Sequence, residues 1–303
     1  MKFLTYSTKE TNAQLGVLIN EQVFAVHDLD ETLPNQMEDF IQQSERNLGK
    51  LRQASESTIT IQGHPIENVT LHAPMQRPGS VRDFMAFEKH LLNAYKRNGM
   101  NIPSDWYKIP AFYFTNHRTI QGPNEIINRP QNCEMLDFEL EAAIIIGKEG
   151  KNISKEEADD YIFGYTILND WSARDLQLGE MSVGLGPAKG KDFATSIGPY
   201  IVTKDELEQT RENKGFNLKM TAAINGKQLS NGNLNSLYYS FSEMIAHASQ
   251  SVSLYPGDII GSGTVGTGCI LEHGQDVQPW LADGDEVTLS IEKIGSLTNW
   301  VEK

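Results

Sequence analysis

The chain has 303 residues, and its 40 acidic and 26 basic side chains give a formal net charge of −14. This acidity excludes duplex nucleic acid and anionic membrane surfaces as expected partners, because both need a basic patch. The hydrophobic fraction of 39% suffices for a packed core, and the length predicts two domains or one large domain with an appendage.

Neither the cysteines nor the N-terminus indicates export. Cys133 and Cys269 lie far apart and outside any CxxC pattern, and the first residues lack the basic-then-apolar order of a signal peptide. No apolar run approaches the roughly 18–20 residues of a membrane span. We therefore expect a cytoplasmic protein with reduced cysteines.

The first 73 residues predict a small β-rich module with one amphipathic helix. The predicted strands cover residues 3–6, 13–19, 23–26 and 58–61, and the predicted helix covers about 37–52. A crossing rich in Pro and Gly at 73–80 marks the boundary. We therefore predict an N-terminal domain of residues 1–73 and a second, larger domain of residues 74–303.

The second part of the chain predicts three helices among many short strands. The helices cover about 83–98 with Gly99 as the C′ residue, 154–161 with a capping box of Ser154 and Glu157, and 236–249. The strands cover 218–224 before an Asn225-Gly226 turn, 258–263 and 286–293. Strands outnumber helices and do not alternate with them, which predicts an α+β fold.

Three carboxylates stand at the ends of strand-like runs. Glu139 and Glu141 occupy alternate strand positions, so they share one face at a spacing of about 7 Å. Asp170 follows the apolar run 161–168. Buried carboxylates need a cation or several donors, and an all-oxygen set suits Mg²⁺, Mn²⁺ or Ca²⁺ better than Zn²⁺. Spacing alone leaves an alternative open, in which both glutamates are exposed and Asp170 caps a turn.

Asp83 and His90 extend this candidate site. Seven residues apart on the predicted helix, they share one face about 10.5 Å apart along the axis. Asp83 would then be a fourth metal ligand and His90 a general base. The alternative makes Asp83 an N-cap and His90 an ordinary, partly buried histidine.

Two phosphate-binding patterns are rejected. Residues 261–266 fit G-x-G-x-x-G, but the following segment 267–274 is strand-like, whereas a dinucleotide fingerprint must open a helix. Residues 189–192 resemble the end of a Walker A loop, but Leu185 stands where the first glycine belongs and Asp192 replaces the Ser or Thr.

Several motifs in order resemble the fumarylacetoacetate hydrolase family over about residues 73–303. They are Glu139-Leu140-Glu141, residues 169–177, residues 186–193, Pro256-Gly257-Asp258 with Gly263-Thr264, and residues 283–287. The resemblance implies a β-rich catalytic domain built as a mixed β-roll. The N-terminal module resembles the small SH3-like barrel of longer members, and family members usually form homodimers.

The resemblance also implies a role for each site residue. The metal ligands would be Asp83, Glu139, Glu141 and Asp170. His90 would be the catalytic base, polarised by Glu272, with Lys191 as a further catalytic group. The substrate contacts would be Arg174, Gln177, Tyr113 and Thr264.

The implied activity is divalent-metal-dependent hydrolysis of a C–C bond in a β-diketo acid. The cation would act as a Lewis acid that stabilises an enolate, while His90 deprotonates the attacking water. Met85 and Met181 stand where tyrosines are expected for fumarylacetoacetate itself, which favours an acylpyruvate or another diketo acid. Oxaloacetate-type decarboxylation and keto–enol isomerisation need the same ligands, so they stay open. A non-enzymatic keto-acid binder with a structural metal is the alternative of another class.

Overall fold

The structure is a computed structural model that describes residues 1–56, 61–97, 99 and 101–303. Most of the predicted strand 58–61 therefore lies outside the described residues. The helices are α1 Val26–Leu29, α2 Met37–Ile41, α3 Ser44–Glu56, α4 Glu88–Arg97, α5 Arg174–Ser182, α6 Lys204–Leu207, α7 Phe241–Ala248 and α8 Ile270–His273. The short three-ten helices are Ile66–Asn68, Ser104–Tyr107, Ala158–Tyr161, Glu208–Thr210 and Leu234–Ser236.

The strands of the N-terminal half are β1 Lys2–Ser7, β2 Gln14–Ile19, β3 Gln22–Ala25, β4 His64–Pro65, β5 Thr70–His72, β6 Val81–Phe84, β7 Phe112–Thr115, β8 Ile120–Gln121, β9 Ile126–Asn128, β10 Leu136–Asp137, β11 Leu140–Ile146 and β12 Gly150–Lys151. Those that follow are β13 Ile162–Asp170, β14 Ser172–Ala173, β15 Thr195–Thr203, β16 Arg211–Glu212, β17 Gly215–Phe216, β18 Lys219–Ile224, β19 Lys227–Asn233, β20 Ser253–Leu254, β21 Ile259–Gly261, β22 Glu286–Ile291 and β23 Gly295–Glu302.

A large mixed sheet organises the molecule. Its order is β4-β3-β2-β1-β15-β13-β11-β21-β6-β7, with β5 paired to β1 and β8 paired to β15. A second sheet has the order β19-β18-β22-β23-β9. The predicted α+β class is confirmed, and the Asn225-Gly226 turn joins β18 to β19 as expected.

The N-terminal strands continue the large sheet. Within the described ranges β1 to β5 form no closed barrel, because β1 pairs on one side with β15 through Phe3 and Ile201. Phe3 also packs against Phe40 and Phe163, with ring centroids 5.3 and 5.4 Å away. The expected SH3-like barrel is therefore not observed, and the domain boundary at residue 73 stays a prediction.

The central strand β11 is buried on both faces, as a near-continuous apolar run predicts. Leu140, Ala142 and Ile144 contribute to one core cluster. Ala143 and Ile145 contribute to the other. Because side chains alternate along a strand, β11 separates the two core clusters. Glu141 lies on the same face as Ala143 and Ile145, which belong to the second cluster.

The predicted helix 83–98 was wrong at its start. Asp83 lies on β6, where it pairs with Gly261 of β21 and Tyr113 of β7, and α4 begins only at Glu88. Pairing on both sides of β6 outweighs the local helical pattern. Asp83 and His90 therefore do not share a helix face.

The other predicted helices are shorter than expected. The helix 37–52 is divided into α2 and α3, and α7 begins after Ser240, which forms a capping box with Glu243. Ser154 and Glu157 do bond each other, but only a three-ten turn follows. Across the described segments, no helix is both long and apolar enough to traverse a bilayer.

Candidate active site

Four buried carboxylates converge where neighbouring strands of the large sheet begin or end. Asp83 comes from β6, Glu141 from β11 and Asp170 from the end of β13, while Glu139 directly precedes β11. One oxygen from each lies within 4.8 Å of one oxygen from every other. The alternative of glutamates on an exposed sheet face is therefore wrong, since all four side chains are buried.

The electrostatics of this carboxylate cluster call for a cation. Burial raises the pKa of Asp83 and Glu141 well above the ordinary range, and repulsion from neighbouring carboxylates adds to it. Glu141 Oε1 and Asp170 Oδ1 are buried without a hydrogen-bond partner in the described part of the chain. Buried side-chain oxygens rarely lack a hydrogen-bond partner in native structures. An all-oxygen set with open lone pairs fits a hard divalent cation.

Glycines make this close approach possible. Any side chain at Gly261 would collide with Asp83 and come within 3.1 Å of Glu141 Oε2. Gly263, at φ +76°, turns its N–H toward Glu141 Oε2 at 2.9 Å. Two glycines of the G-x-G-x-x-G pattern therefore contact the carboxylates: Gly261 leaves room for them, and Gly263 donates its N–H to Glu141. Residues 267–274 were expected to be strand-like, and this expectation is wrong, because α8 occupies residues 270–273.

Two buried cations hold one side of the carboxylate cluster. Lys191 Nζ lies 2.6 Å from both Glu139 Oε2 and Asp170 Oδ2, and Arg174 Nη2 lies 2.8 Å from Glu139 Oε1. Burial alone would raise the pKa of Glu139, but these two cations outweigh it and lower the pKa. Burial would lower the pKa of Lys191, but the carboxylates of Asp170 and Glu139 outweigh it and raise the pKa. In the structure Lys191 therefore donates to both carboxylates as an ammonium group.

His90 and Glu272 form a second buried group beside the carboxylate cluster. His90 Nδ1 lies 2.8 Å from Glu272 Oε1, and His90 is near enough to Glu139 to lower its pKa. Glu272 also accepts hydrogen bonds from Asn93 Nδ2 and from the N–H groups of Thr267 and Gly268. The structure thus brings together two residues that are 182 positions apart.

Cys269 completes a His90–Cys269–Glu272 group whose ligand atoms also lie within 4.8 Å of one another. Its Sγ is 3.6 Å from Glu272 Oε1. The Glu272 oxygens already accept several donors, unlike the open oxygens of Glu141 and Asp170. This group is therefore better described as a histidine–carboxylate pair than as a metal site.

Of the expected substrate contacts, Tyr113 bonds the carboxylate cluster directly and Gln177 reaches it through Arg174. Tyr113 donates its hydroxyl to Asp170 Oδ2 at 2.7 Å, and burial together with Asp170 raises the pKa of Tyr113. Gln177 Oε1 accepts from Arg174 Nη1 at 3.0 Å. Thr264 is buried directly after Gly263. Met85 and Met181 are 38% and 57% exposed, so neither is enclosed in the core.

Sequence reasoning missed three residues that support the site. Asn93 bonds Glu272, and Asn169 Oδ1 accepts from the N–H of Glu139 at 3.0 Å. Asp137 is fully buried beside Arg174. Strand alternation was the available signal for Asp137, since it lies two positions before Glu139.

We expect binding of Mg²⁺ or Mn²⁺ to release protons. The raised pKa values of Asp83 and Glu141 mean that part of the carboxylate cluster holds protons at pH values where free carboxylates are ionised. A cation displaces them, so metal affinity should rise with pH until the protons are gone. Calorimetric titration at about pH 6, above the ordinary carboxyl pKa, in two buffers of different ionisation enthalpy counts the protons released. Equal heats in both buffers would contradict this prediction.

Comparison with known proteins gives one family match and close relatives. A family model described as Fumarylacetoacetate (FAA) hydrolase C-terminal matches residues 80–302. The human protein oxaloacetate tautomerase FAHD2A, mitochondrial, is 32% identical over 289 residues, which cover 94% of this chain and 84% of that protein.

Solved structures share the fold across the whole chain. A putative HpcE protein from Mycobacterium smegmatis matches with a TM-score of 0.79 at 24% identity and covers 100% of both chains. Maleylpyruvate hydrolase from Sphingobium sp. SYK-6, in complex with manganese(II) ion and pyruvate, matches with a TM-score of 0.75 at 23% identity. That match covers 100% of this chain and 99% of the other.

Proposed function

The chain belongs to the fumarylacetoacetate hydrolase family, as its motifs predicted, and on that premise we propose that it is a divalent-cation-dependent enzyme of small 2-oxo acids. We propose hydrolysis of a C–C bond in a β-diketo acid such as an acylpyruvate. The observation that carries this proposal is the position of the His90–Glu272 pair beside four buried carboxylates, two of which, Glu141 and Asp170, have an oxygen without a partner in the described residues.

The cation would be held by Asp83, Glu139, Glu141 and Asp170. When bound, it would supply Lewis-acid polarisation of the substrate carbonyls and stabilise negative charge on their oxygens. Support for a cation comes from the fit of the donor set described above and from the manganese in the maleylpyruvate hydrolase structure. The pyruvate in the same structure supports a small keto acid as the ligand.

His90 would act as the general base. Glu272 holds Nδ1, so Nε2 is the ring nitrogen left to take a proton from water. The oxygen of that water forms a bond to the distal carbonyl carbon, the C–C bond then breaks, and its electron pair leaves as an enolate. The proton on His90 returns to the enolate carbon, and the products are a carboxylic acid and a 2-oxo acid.

Lys191 and Arg174 would stabilise the charge that develops on substrate oxygens. Both stay protonated, because burial is outweighed by the carboxylates around them. Fixed donors in a site without bulk water are worth more than the same donors in solution. Tyr113 would supply a neutral donor beside Asp170. We also propose that the protein forms a homodimer and is cytoplasmic.

A second candidate is keto–enol tautomerisation of an oxaloacetate-like acid. It is favoured by the name of the human relative, which is 32% identical across nearly the whole chain. Tautomerisation needs the same carboxylates and a base that moves a proton between carbon and solvent. His90 could do this without an attacking water.

A panel of acylpyruvates, fumarylacetoacetate and oxaloacetate, assayed with Mg²⁺ or Mn²⁺ in H₂¹⁸O, separates these activities. Hydrolysis places one ¹⁸O in the released carboxylic acid, whereas tautomerisation removes the enol absorbance and leaves the carbon skeleton intact. Decarboxylation would release carbon dioxide. Turnover that survives EDTA would overturn the cation requirement. Calorimetric binding of keto acids without turnover anywhere in the panel would instead favour the non-enzymatic binder.

A further inference from the structure

Asp137 is a fully buried carboxylate that the proposed chemistry does not use. It ends β10, two positions before Glu139, and it is 0% exposed. Its oxygens are not among those that converge on the candidate cation position. A buried charge is expensive unless several donors satisfy it, so its partners indicate what it does.

One set of donors comes from α8, the turn that carries Glu272. Asp137 Oδ1 accepts from the N–H of Ile270 at 2.8 Å, and Oδ2 accepts from the N–H of Leu271 at 3.1 Å. The N-cap residue of α8, Cys269, makes no side-chain capping bond. Asp137 therefore satisfies the first N–H groups of α8 from another part of the chain.

The N–H of Phe138 also donates to Asp137 Oδ1, at 2.8 Å, and the remaining donor is Arg174. Its Nε lies 2.9 Å from Asp137 Oδ2, and its Nη2 lies 2.8 Å from Glu139 Oε1. One guanidinium therefore connects Asp137 to a carboxylate of the cluster. Asp137 therefore contacts both α8, which carries Glu272, and the guanidinium of Arg174, which pairs with Glu139.

We propose that Asp137 is a positioning residue that sets the placement of the His90–Glu272 pair relative to the carboxylate cluster. This inference rests on the proposed function. A carboxylate suits the role because it accepts from several N–H groups and donates to none. Asparagine has nearly the same shape, but its NH₂ would face an N–H of α8 or the guanidinium of Arg174. Asp137→Asn is therefore expected to disturb the placement of α8 and Arg174 while leaving the volume of the side chain nearly unchanged.

Asp137→Asn is compared with Asp258→Asn, a matched control. Asp258 is also buried and Arg-paired, since it lies 3.5 Å from Arg82 Nη1, and it accepts from Ser80 Oγ and the N–H of Tyr255. Hydrogen exchange of the full-length protein without substrate is measured first. We expect faster exchange over residues 268–275 in Asp137→Asn but not in Asp258→Asn. This readout does not depend on any activity.

Kinetics provide the second readout. We expect Asp137→Asn to lower kcat by about 10–100-fold, the cost of a small misplacement of catalytic groups. In a His90→Ala background the same change should lower kcat by no more than about 3-fold, because groups that act as a unit are not additive. Asp258→Asn should leave kcat within about 2-fold of the parent, as an independent site should. If Asp137→Asn does not fold, Asp137→Glu keeps the charge, and the same comparisons should show a smaller loss of kcat.

Unchanged exchange over 268–275 together with a kcat equal to that of Asp258→Asn overturns the inference and leaves the proposed function standing. Equal fold-losses of kcat with and without His90 would also overturn it, since Asp137 would then act independently of the pair. A parent protein that turns over nothing in the panel overturns the proposed function, while the exchange measurement still decides whether Asp137 holds α8.

Discussion

Glu141→Gln should weaken Mn²⁺ binding by more than about 100-fold and remove turnover with it, because even residues that only orient metal ligands cost 10–100-fold when changed. Glu141 Oε1 is buried with no partner in the described residues, which is the condition of an oxygen available to a cation. Glutamine would place an NH₂ donor or a single amide oxygen there. Calorimetry or the electron paramagnetic resonance of Mn²⁺ measures the affinity, and Glu286→Gln on β22 is the control.

The thermal stability of the metal-free protein distinguishes a role of Glu141 in binding the cation from a role in maintaining the fold. Burial and the repulsion of Asp83 raise the pKa of Glu141, so its charged form opposes folding. Without added cation, Glu141→Gln should therefore melt at the same temperature as the parent or higher. A clear loss of metal-free stability, or undiminished Mn²⁺ binding, would mean that Glu141 maintains the fold and does not bind the cation.

His90→Gln should lower kcat by at least about 10²-fold, the usual contribution of a positioned general base. Mn²⁺ affinity should stay within a few-fold of the parent, since His90 is outside the carboxylate cluster. Steady-state kinetics on the best substrate of the panel, with His247→Gln of α7 as the control, test this. Full activity in His90→Gln would remove His90 from the mechanism, and equal losses in both variants would indicate a general defect.

Side-chain alternation made part of the carboxylate cluster predictable. Glu139 and Glu141 converge as expected, although Glu139 lies just before β11, and Asp170 is the last residue of the buried strand β13. Asp83 was expected among the ligands but on the wrong element. Residues 83–98 carry a helical pattern, and only the pairing of β6 with β21 and β7 makes Asp83 part of a strand. Such pairing is a long-range property that a local pattern does not contain.

The second half of the site has no local signal. Glu272 and His90 are 182 residues apart, so their contact was expected only from family resemblance. Asn93 acts through a hydrogen bond to the Glu272 carboxylate, and nothing in its sequence neighbourhood distinguishes it from a surface amide. Asn169, which accepts from the N–H of Glu139, does stand in the motif 169–177, but the motif did not assign it a role. The strands β1, β2 and β3 were predicted at nearly the right residues, whereas β4 and β5 were not predicted. The union of these strands with the large sheet depends on the pairing of β1 with β15.

The pairing of β1 with β15 also covers part of one edge of β15. Residues 201–203 of β15 would be an open strand edge if the N-terminal segment were cut away, and Phe163 and Ile201 would lose the cover of Phe3. Open, apolar edges recruit further strands and lead to aggregation. Expression of residues 74–303 alone would thus expose a sticky edge on the sheet that also carries the site carboxylates. We therefore expect residues 74–303 alone to aggregate more readily than the full chain.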